Sequence, residues 1–240
     1  MSGLVERRPL VVAHRGASDG HPDNTLQAFA GAIEDGADMI EFDVRRTTDG
    51  ELIAFHDATV RRRAVGTLTR AEIGEATGRT PPLLEEVVEL ARGRIGLDVE
   101  LKEAGYTQRV LEVVAADGAD DAGLIVSSFL DEVVATVKRA RPDIRAGLLV
   151  GTDRPGPNPL RTRLSELSPV ARARECGADA VGMHFLIASL GALERTTAAG
   201  LGAFVWTVNR DDALRRFLAD ARLDAVITDR PGRALALRDG

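Results

Sequence analysis

The sequence predicts an α/β fold: a parallel (β/α)8 TIM barrel with a small inserted hairpin or cap after its second strand, about 45–82. Three observations carry that expectation. Short apolar, β-rich runs alternate with segments of helical spacing along most of the 240 residues, which is the pattern of repeated βα units. The runs number eight, the count at which such a sheet closes on itself. Two of them carry carboxylates on every second residue, which a site-bearing barrel interior tolerates and an ordinary sheet core does not. An open doubly wound sheet shares the alternation, and the pattern alone does not exclude it.

The elements follow in order. Residues 10–13 form the first strand, and 25–35 a helix whose Leu26, Phe29, Ala30 and Ile33 keep helical spacing. Residues 39–44 are the second strand. The stretch after Val44 has no room for a helix, and Asp49-Gly50 is a hairpin turn that folds 51–56 back. A two-residue loop would pair Thr48 with Glu51, Phe55 with Val44 and His56 with Asp43. Strands at 95–101, 124–127, 145–150, 180–183, 203–208 and 225–228 continue the series, with helices at 106–116 and near 131–140, 170–176, 189–199 and 211–220. The Pro/Gly/Arg-rich segment 151–169 leaves the fifth strand on the active face, as a lid, a substrate wall or a plain surface excursion. Residues 1–240 read as one domain.

Composition excludes several classes. One cysteine, Cys176, rules out a disulfide framework and a Cys-rich zinc site. No apolar run approaches a membrane span, so no stable membrane insertion is expected. Charges interrupt the N-terminal apolar stretch, giving no secretory signal and a cytoplasmic expectation. A net charge of −6 argues against a nucleic-acid binder. The sequence sets no oligomeric state.

On the second strand Glu41 and Asp43 share one face and Ile40, Phe42 and Val44 the other. On the third, Asp98, Glu100 and Lys102 oppose Leu97, Val99 and Leu101. Glu41, Asp43 and Glu100 are hard oxygen ligands suited to Mg2+ or Ca2+. Lys102, one of only two lysines, either meets a substrate anion or pairs with those carboxylates. His14-Arg15-Gly16 closes the first strand, where glycine lets backbone approach a ligand and arginine can fork onto an anion. His14 and His56, flanking a metal and an anion, are what acid–base phosphodiester cleavage requires. His21 and His184 read as structural.

These motifs, His14-Arg15-Gly16, Pro22-Asp23-Asn24-Thr25, Glu41-x-Asp43, Thr48-Asp49-Gly50, His56-Asp57 and Glu100-x-Lys102, resemble the glycerophosphodiester phosphodiesterase family in order and spacing. The likeness continues through Pro82-Leu83-Leu84-Glu85-Glu86, Ser128-Phe129, Val205-Trp206-Thr207-Val208-Asn209 and Ile227-Thr228-Asp229-Arg230-Pro231. It implies a (β/α)8 barrel hydrolysing small-molecule glycerophosphodiesters to glycerol 3-phosphate and an alcohol. It also implies His14 and His56 as the acid–base pair, Glu41, Asp43 and Glu100 as ligands of a divalent metal, and Arg15 and Lys102 as the phosphate grip. Trp206 would pack on the glycerol or head group, or plug the barrel. In the family the neighbouring glycerol hydroxyl is thought to attack first, giving a cyclic phosphate that water opens. The chain departs from the family at Asp23, usually glutamate, and in a short cap bearing Arg61-Arg62-Arg63. A lysophospholipid-directed relative and a catalytically silent barrel are the alternatives. Aromatic residues at 4% give little sign of the apolar entry path that the first would need.

Overall fold

The computed structural model describes residues 8–115, 123–151 and 166–240. Its strands are β1 (Leu10–His14), β2 (Met39–Arg46), β3 (Leu52–Ala54), β4 (Thr59–Val60), β5 (Arg63–Ala64), β6 (Gly96–Leu101), β7 (Leu124–Ser128), β8 (Arg145–Val150), β9 (Ala180–His184), β10 (Gly202–Trp206) and β11 (Ala225–Thr228). All but β3, β4 and β5 belong to one parallel sheet in the order β1-β2-β6-β7-β8-β9-β10-β11. The sheet closes because β11 pairs back on β1, from Leu10 opposite Ala225 to Ala13 opposite Thr228. That closure excludes the open doubly wound sheet.

The two faces of β2 and β6 separate as their alternation requires. Ile40, Phe42 and Val44 are fully buried beneath the outer helices, and Phe29 of the helix Leu26–Glu34 meets Phe42 at a centroid distance of 5.7 Å. Leu97, Val99 and Leu101 do the same for β6. Thr25 starts the first helix by accepting the Ala28 N–H at 3.1 Å. The barrel interior is divided. An apolar plug of Val12, Ile125, Leu149, Phe204 and Ile227 fills one part, and Gly147 and Gly182 leave the space that the Phe204 ring occupies. The inward residues of β2 and β6 are instead charged.

The strand entrances at the other end share one device. Asp38 donates its N–H to the Val11 carbonyl at 3.0 Å and accepts the Val11 N–H on its carboxylate at 2.7 Å. Asp179 repeats this on Ala146, at 2.9 and 2.8 Å, and Asp224 on Ala203, at 2.7 and 3.1 Å. Each carboxylate also meets a cation: Arg238, Lys138 and Arg145 respectively. These reciprocal clamps satisfy main-chain donors where the sheet frays.

The hairpin register differs from expectation by one residue. Val44 faces Ala54, Arg45 faces Ile53 and Arg46 faces Leu52, so Thr47, not Thr48, stands opposite Glu51. The loop is three residues long, 48–50, with Gly50 at φ 86°, the geometry of a three-residue hairpin with a bulge. Thr47 stabilises it by accepting the Glu51 N–H on Oγ1 at 3.0 Å. Phe55 therefore bonds to Asp43 (N–H to carbonyl, 2.9 Å), and His56 lies beyond the end of β3.

Residues 55–83 form the segment above β3, with a small core of Ile53, Val60, Val65, Leu68 and Ile73. Its helix Arg70–Thr77 begins with a Thr69–Glu72 capping box and ends at Gly78, φ 76°. The helices Arg70–Thr77, Leu84–Ala91 and Pro231–Asp239 go beyond the sequence expectation. The helical segment expected near 189–199 starts earlier, at Phe185, and kinks at Gly191 before Leu193–Ala198. Of the segment 151–169, residues 152–165 lie outside the described residues.

Candidate active site

A cavity of about 1120 Å³ opens at the carboxyl ends of the barrel strands, and its lining includes His14, Arg15, Glu41, His56, Glu100, Lys102 and Trp206. The sequence-derived site residues are thus brought to one chamber, with Asp43 buried beneath its floor at 1% exposure. Glu41, Asp43 and Glu100 each offer an oxygen within 4.8 Å of the others.

Burial of so many carboxylates demands compensation. Lys102 supplies part of it, its ammonium 2.6 Å from Asp43 Oδ1 and in contact with Glu100. Arg15 supplies more, with Nε 3.1 Å from Asp43 Oδ2 and a hydrogen bond to Asp23 at 3.2 Å. Arg15 adopts φ 56° to reach this position, beside Gly16 at φ 87°, a strained backbone of the kind found at functional sites. A Cβ on Gly16 would sit 2.6 Å from the Ala28 carbonyl carbon, so the close approach of the loop to the first helix needs glycine. Of the two roles that the sequence offers Lys102, anion grip and carboxylate partner, its contacts with Asp43 and Glu100 show the second, while its place in the cavity lining keeps the first open to a substrate.

Burial alone would raise the Asp43 carboxyl, but the Lys102 ammonium and Arg15 guanidinium outweigh it and hold Asp43 below the usual carboxylate range. Glu41 accepts the Arg15 main-chain N–H at 3.0 Å, but burial, then Asp43 and Glu100, outweigh the Arg15 guanidinium and push it well up. Glu100 is raised by burial despite Lys102. Asp98, deeper in the barrel, is pushed up by burial to about 7, although it accepts a 2.7 Å hydrogen bond from Ser127 Oγ. Four inward carboxyl groups, Glu41, Asp43, Asp98 and Glu100, therefore share the two cations Arg15 and Lys102. An oxygen-rich, electron-donating cluster left short of cations is a fit for a hard divalent metal.

The histidines differ in surroundings. His14 Nδ1 lies 2.6 Å from Asp229 Oδ1, and its Nε2 faces Glu41 at 3.9 Å. Ser18 Oγ donates to Asp229 at 3.1 Å and the Asn209 amide to its other oxygen. Burial would raise Asp229, but His14, Asn209 and Ser18 hold it low. His56 has Nδ1 2.9 Å from the exposed Asp57. Burial lowers the His56 ring, opposed by Asp43 and reinforced by Arg15 and Lys102.

Sequence reading assigned no role to Asn24 or Asp229, though both fall in motifs it singled out. Asn24, at φ 53°, donates to Asp43 Oδ2 at 2.7 Å and accepts the Asp43 N–H at 3.3 Å. His184 does cap the turn at Leu186 (3.4 Å), yet it also lines the cavity, edge-on to Trp206 at 5.3 Å. Trp206 packs against Phe129 at 5.6 Å and forms one wall. His21 stays apart, against Gly31. Leu186 and Leu190, 57% and 67% exposed, edge the mouth and give it an aliphatic rim that the low aromatic content did not foretell.

Barrel enzymes carry their chemistry at the carboxyl ends of the strands, and the charged chamber lies there; fold and site together define a barrel enzyme acting on an anionic substrate. Residues 14–233 match the Glycerophosphoryl diester phosphodiesterase family. The chain belongs to that family and is a phosphoric diester hydrolase. It is 32% identical to a glycerophosphodiester phosphodiesterase of Caldanaerobacter subterraneus subsp. tengcongensis, over 93% of this chain and 95% of the relative. A glycerophosphodiester phosphodiesterase structure from Thermotoga maritima superposes with a TM-score of 0.77 at 27% identity, covering 96% of this chain and 98% of that one. A phosphodiesterase of Oleispira antarctica, solved in complex with the product sn-glycerol-3-phosphate, gives 0.76 at 25% identity, covering 97% and 98%. Among the described residues no helix is long and apolar enough to cross a membrane.

Proposed function

We propose that the chain, as a single domain 1–240 with the cap at about 45–82, hydrolyses glycerophosphodiesters to glycerol 3-phosphate and an alcohol in a metal-dependent, two-histidine reaction. The observation that carries this reading is the buried Glu41–Asp43–Glu100 cluster between His14 and His56. Those carboxylates would hold Mg2+ or Ca2+, which when bound lowers the pKa of a substrate hydroxyl and stabilises charge developing on phosphate oxygens. Arg15 and Lys102 offer the phosphate its cationic partners, and Trp206 an apolar face for the glycerol or head group.

The two imidazoles suit opposite proton roles. His56, kept neutral by burial, accepts the proton of the glycerol hydroxyl as its oxygen attacks phosphorus. His14, its ring aimed by the 2.6 Å contact of Nδ1 with Asp229 Oδ1, gives a proton to the leaving alcohol oxygen as its bond to phosphorus breaks. A cyclic phosphate results. Water then opens it, giving its proton to His14 while His56 returns one to the glycerol oxygen.

The test is release of glycerol 3-phosphate from glycerophosphocholine and glycerophosphoethanolamine with Mg2+, Ca2+ or EDTA. Release that EDTA abolishes supports the reading; release undiminished by EDTA removes the metal from it. Substrates lacking the free neighbouring hydroxyl should react poorly if the cyclic route holds. The aliphatic rim of Leu186 and Leu190 favours a second reading, in which the same groups act on lysophospholipids. Metal-dependent turnover of lysophosphatidylcholine exceeding that of glycerophosphocholine would select it. The expected partner is a small molecule and not nucleic acid, and the expected compartment is the cytoplasm.

A further inference from the structure

We propose that Arg45 is a positioning residue for His56, locking the loop that carries His56 to the loop that carries Lys102. The inference rests on the reading of His56 as a proton-transfer group. The inward positions of β2 run Glu41, Asp43, Arg45, so a cation follows the carboxylates on the same face. Its side chain is only 8% exposed, so the bonds it makes are scarcely shared with bulk water.

Arg45 Nε donates to the His56 carbonyl at 2.9 Å. The same guanidinium pairs with Glu103, the residue after Lys102. Glu103 donates its N–H to Tyr106 Oη at 3.2 Å, and Tyr106 Oη donates to the Val44 carbonyl at 2.6 Å. The path returns to β2 one residue before Arg45, a closed loop of hydrogen bonds joining the ends of the neighbouring strands β2 and β6, from which the His56 contact branches.

The His56 segment needs such an anchor. β3 ends at Ala54, and Phe55 makes the last main-chain bond to β2. Beyond it, the ring's side-chain partner is Asp57, itself 71% exposed and a weak clamp. The ring is therefore aimed by its backbone, and the backbone by Arg45. Arginine suits the task because one planar fork serves a carbonyl and a carboxylate at once.

The test compares Arg45→Met, Arg45→Lys and Glu103→Gln, each alone and in a His56→Ala background, with the metal-loaded enzyme and glycerophosphocholine. R45M is expected to lower kcat on the order of 10–100-fold, the cost of a misplaced catalytic group, with KM and calorimetric Mg2+ affinity within about threefold. R45K should recover part of the loss. E103Q, whose carboxylate is 42% exposed and whose loss leaves the core intact, should show a smaller fall of the same kind and covers the case in which R45M does not fold. In the H56A background the additional fall should be under about threefold, since the two residues act as a unit. An undiminished fall in that background, or a loss confined to metal affinity, overturns the proposal. A wild-type chain that turns over no phosphodiester defeats the functional reading alone. The positioning claim is then judged by 15N-histidine NMR. The ring signal missing in H56A should shift or broaden in R45M and E103Q while that of His14 holds; an unmoved His56 signal overturns it.

Discussion

Replacing Asp229 by asparagine keeps shape but removes the charge that faces His14, and the hydrogen-bond network dictates the result. Asn209 donates to one Asp229 oxygen, so an asparagine there must keep its own oxygen on that side. Its NH2 group then points at His14 Nδ1, which must become an acceptor. The imidazolium form, with both nitrogens protonated, loses its partner. A hydrogen bond to a charged group contributes about 1.5–3 kcal/mol net. Because the Asp229 side chain is 31% exposed, solvent screening places the loss at the lower end, about 1.5–2 kcal/mol. At about 1.4 kcal/mol per decade this is roughly a 10–30-fold fall in kcat. Steady-state release of glycerol 3-phosphate by D229N and wild type measures it, with H14A and the double variant completing the cycle. A D229N enzyme at wild-type kcat, or a loss that persists undiminished in H14A, would refute the pairing as the source of His14's role. The same bond sets a pH dependence: Asp229 is held low in the folded state, so its stabilisation is complete above about pH 4 and lost as acid protonates it.

Three further outcomes are expected. His56 is lowered by burial, so it stays neutral to below its ordinary pH of about 6.5, and the acid limb of kcat/KM should lie below that value; a limb above pH 7 in the pH–rate profile contradicts the base assignment. Asn24→Ala removes the two hydrogen bonds that Asn24 makes to Asp43, one to its carboxylate and one from its N–H, and should weaken divalent-metal affinity by about 10–100-fold in calorimetric titration; unchanged affinity would release Asn24 from that role. Asp179→Ala opens one strand-entrance clamp and should cost about 1–3 kcal/mol in urea unfolding, leaving kcat unchanged because the clamp lies at the end of the barrel away from the chamber.

Much of the candidate site was legible because strand periodicity is a local property. Once Ile40, Phe42 and Val44 claim the buried outer face, Glu41 and Asp43 have only the interior, and β6 repeats the constraint. Turn geometry was less legible. Asp49-Gly50 marks the hairpin, but whether Thr47 or Thr48 closes it depends on the Thr47 side chain bonding back across the loop, and the choice moves every partner by one. Helix Leu84–Ala91 escaped notice because it is short and follows a cap whose own small core hides the βα rhythm.

By itself the sequence determined the alternation of elements, the inward placement of the carboxylates and the motif set that carries the family likeness, all consequences of spacing along one chain. The tertiary structure alone decided which distant groups meet. Asp229 reaches His14 across 215 positions because β11 closes the barrel on β1. Asn24 grips Asp43, and Arg45 ties His56 to Glu103, because loops from different strands converge over one mouth. Proton affinity and ring orientation follow from those meetings, since a buried charge takes its character from its neighbours in space rather than in sequence.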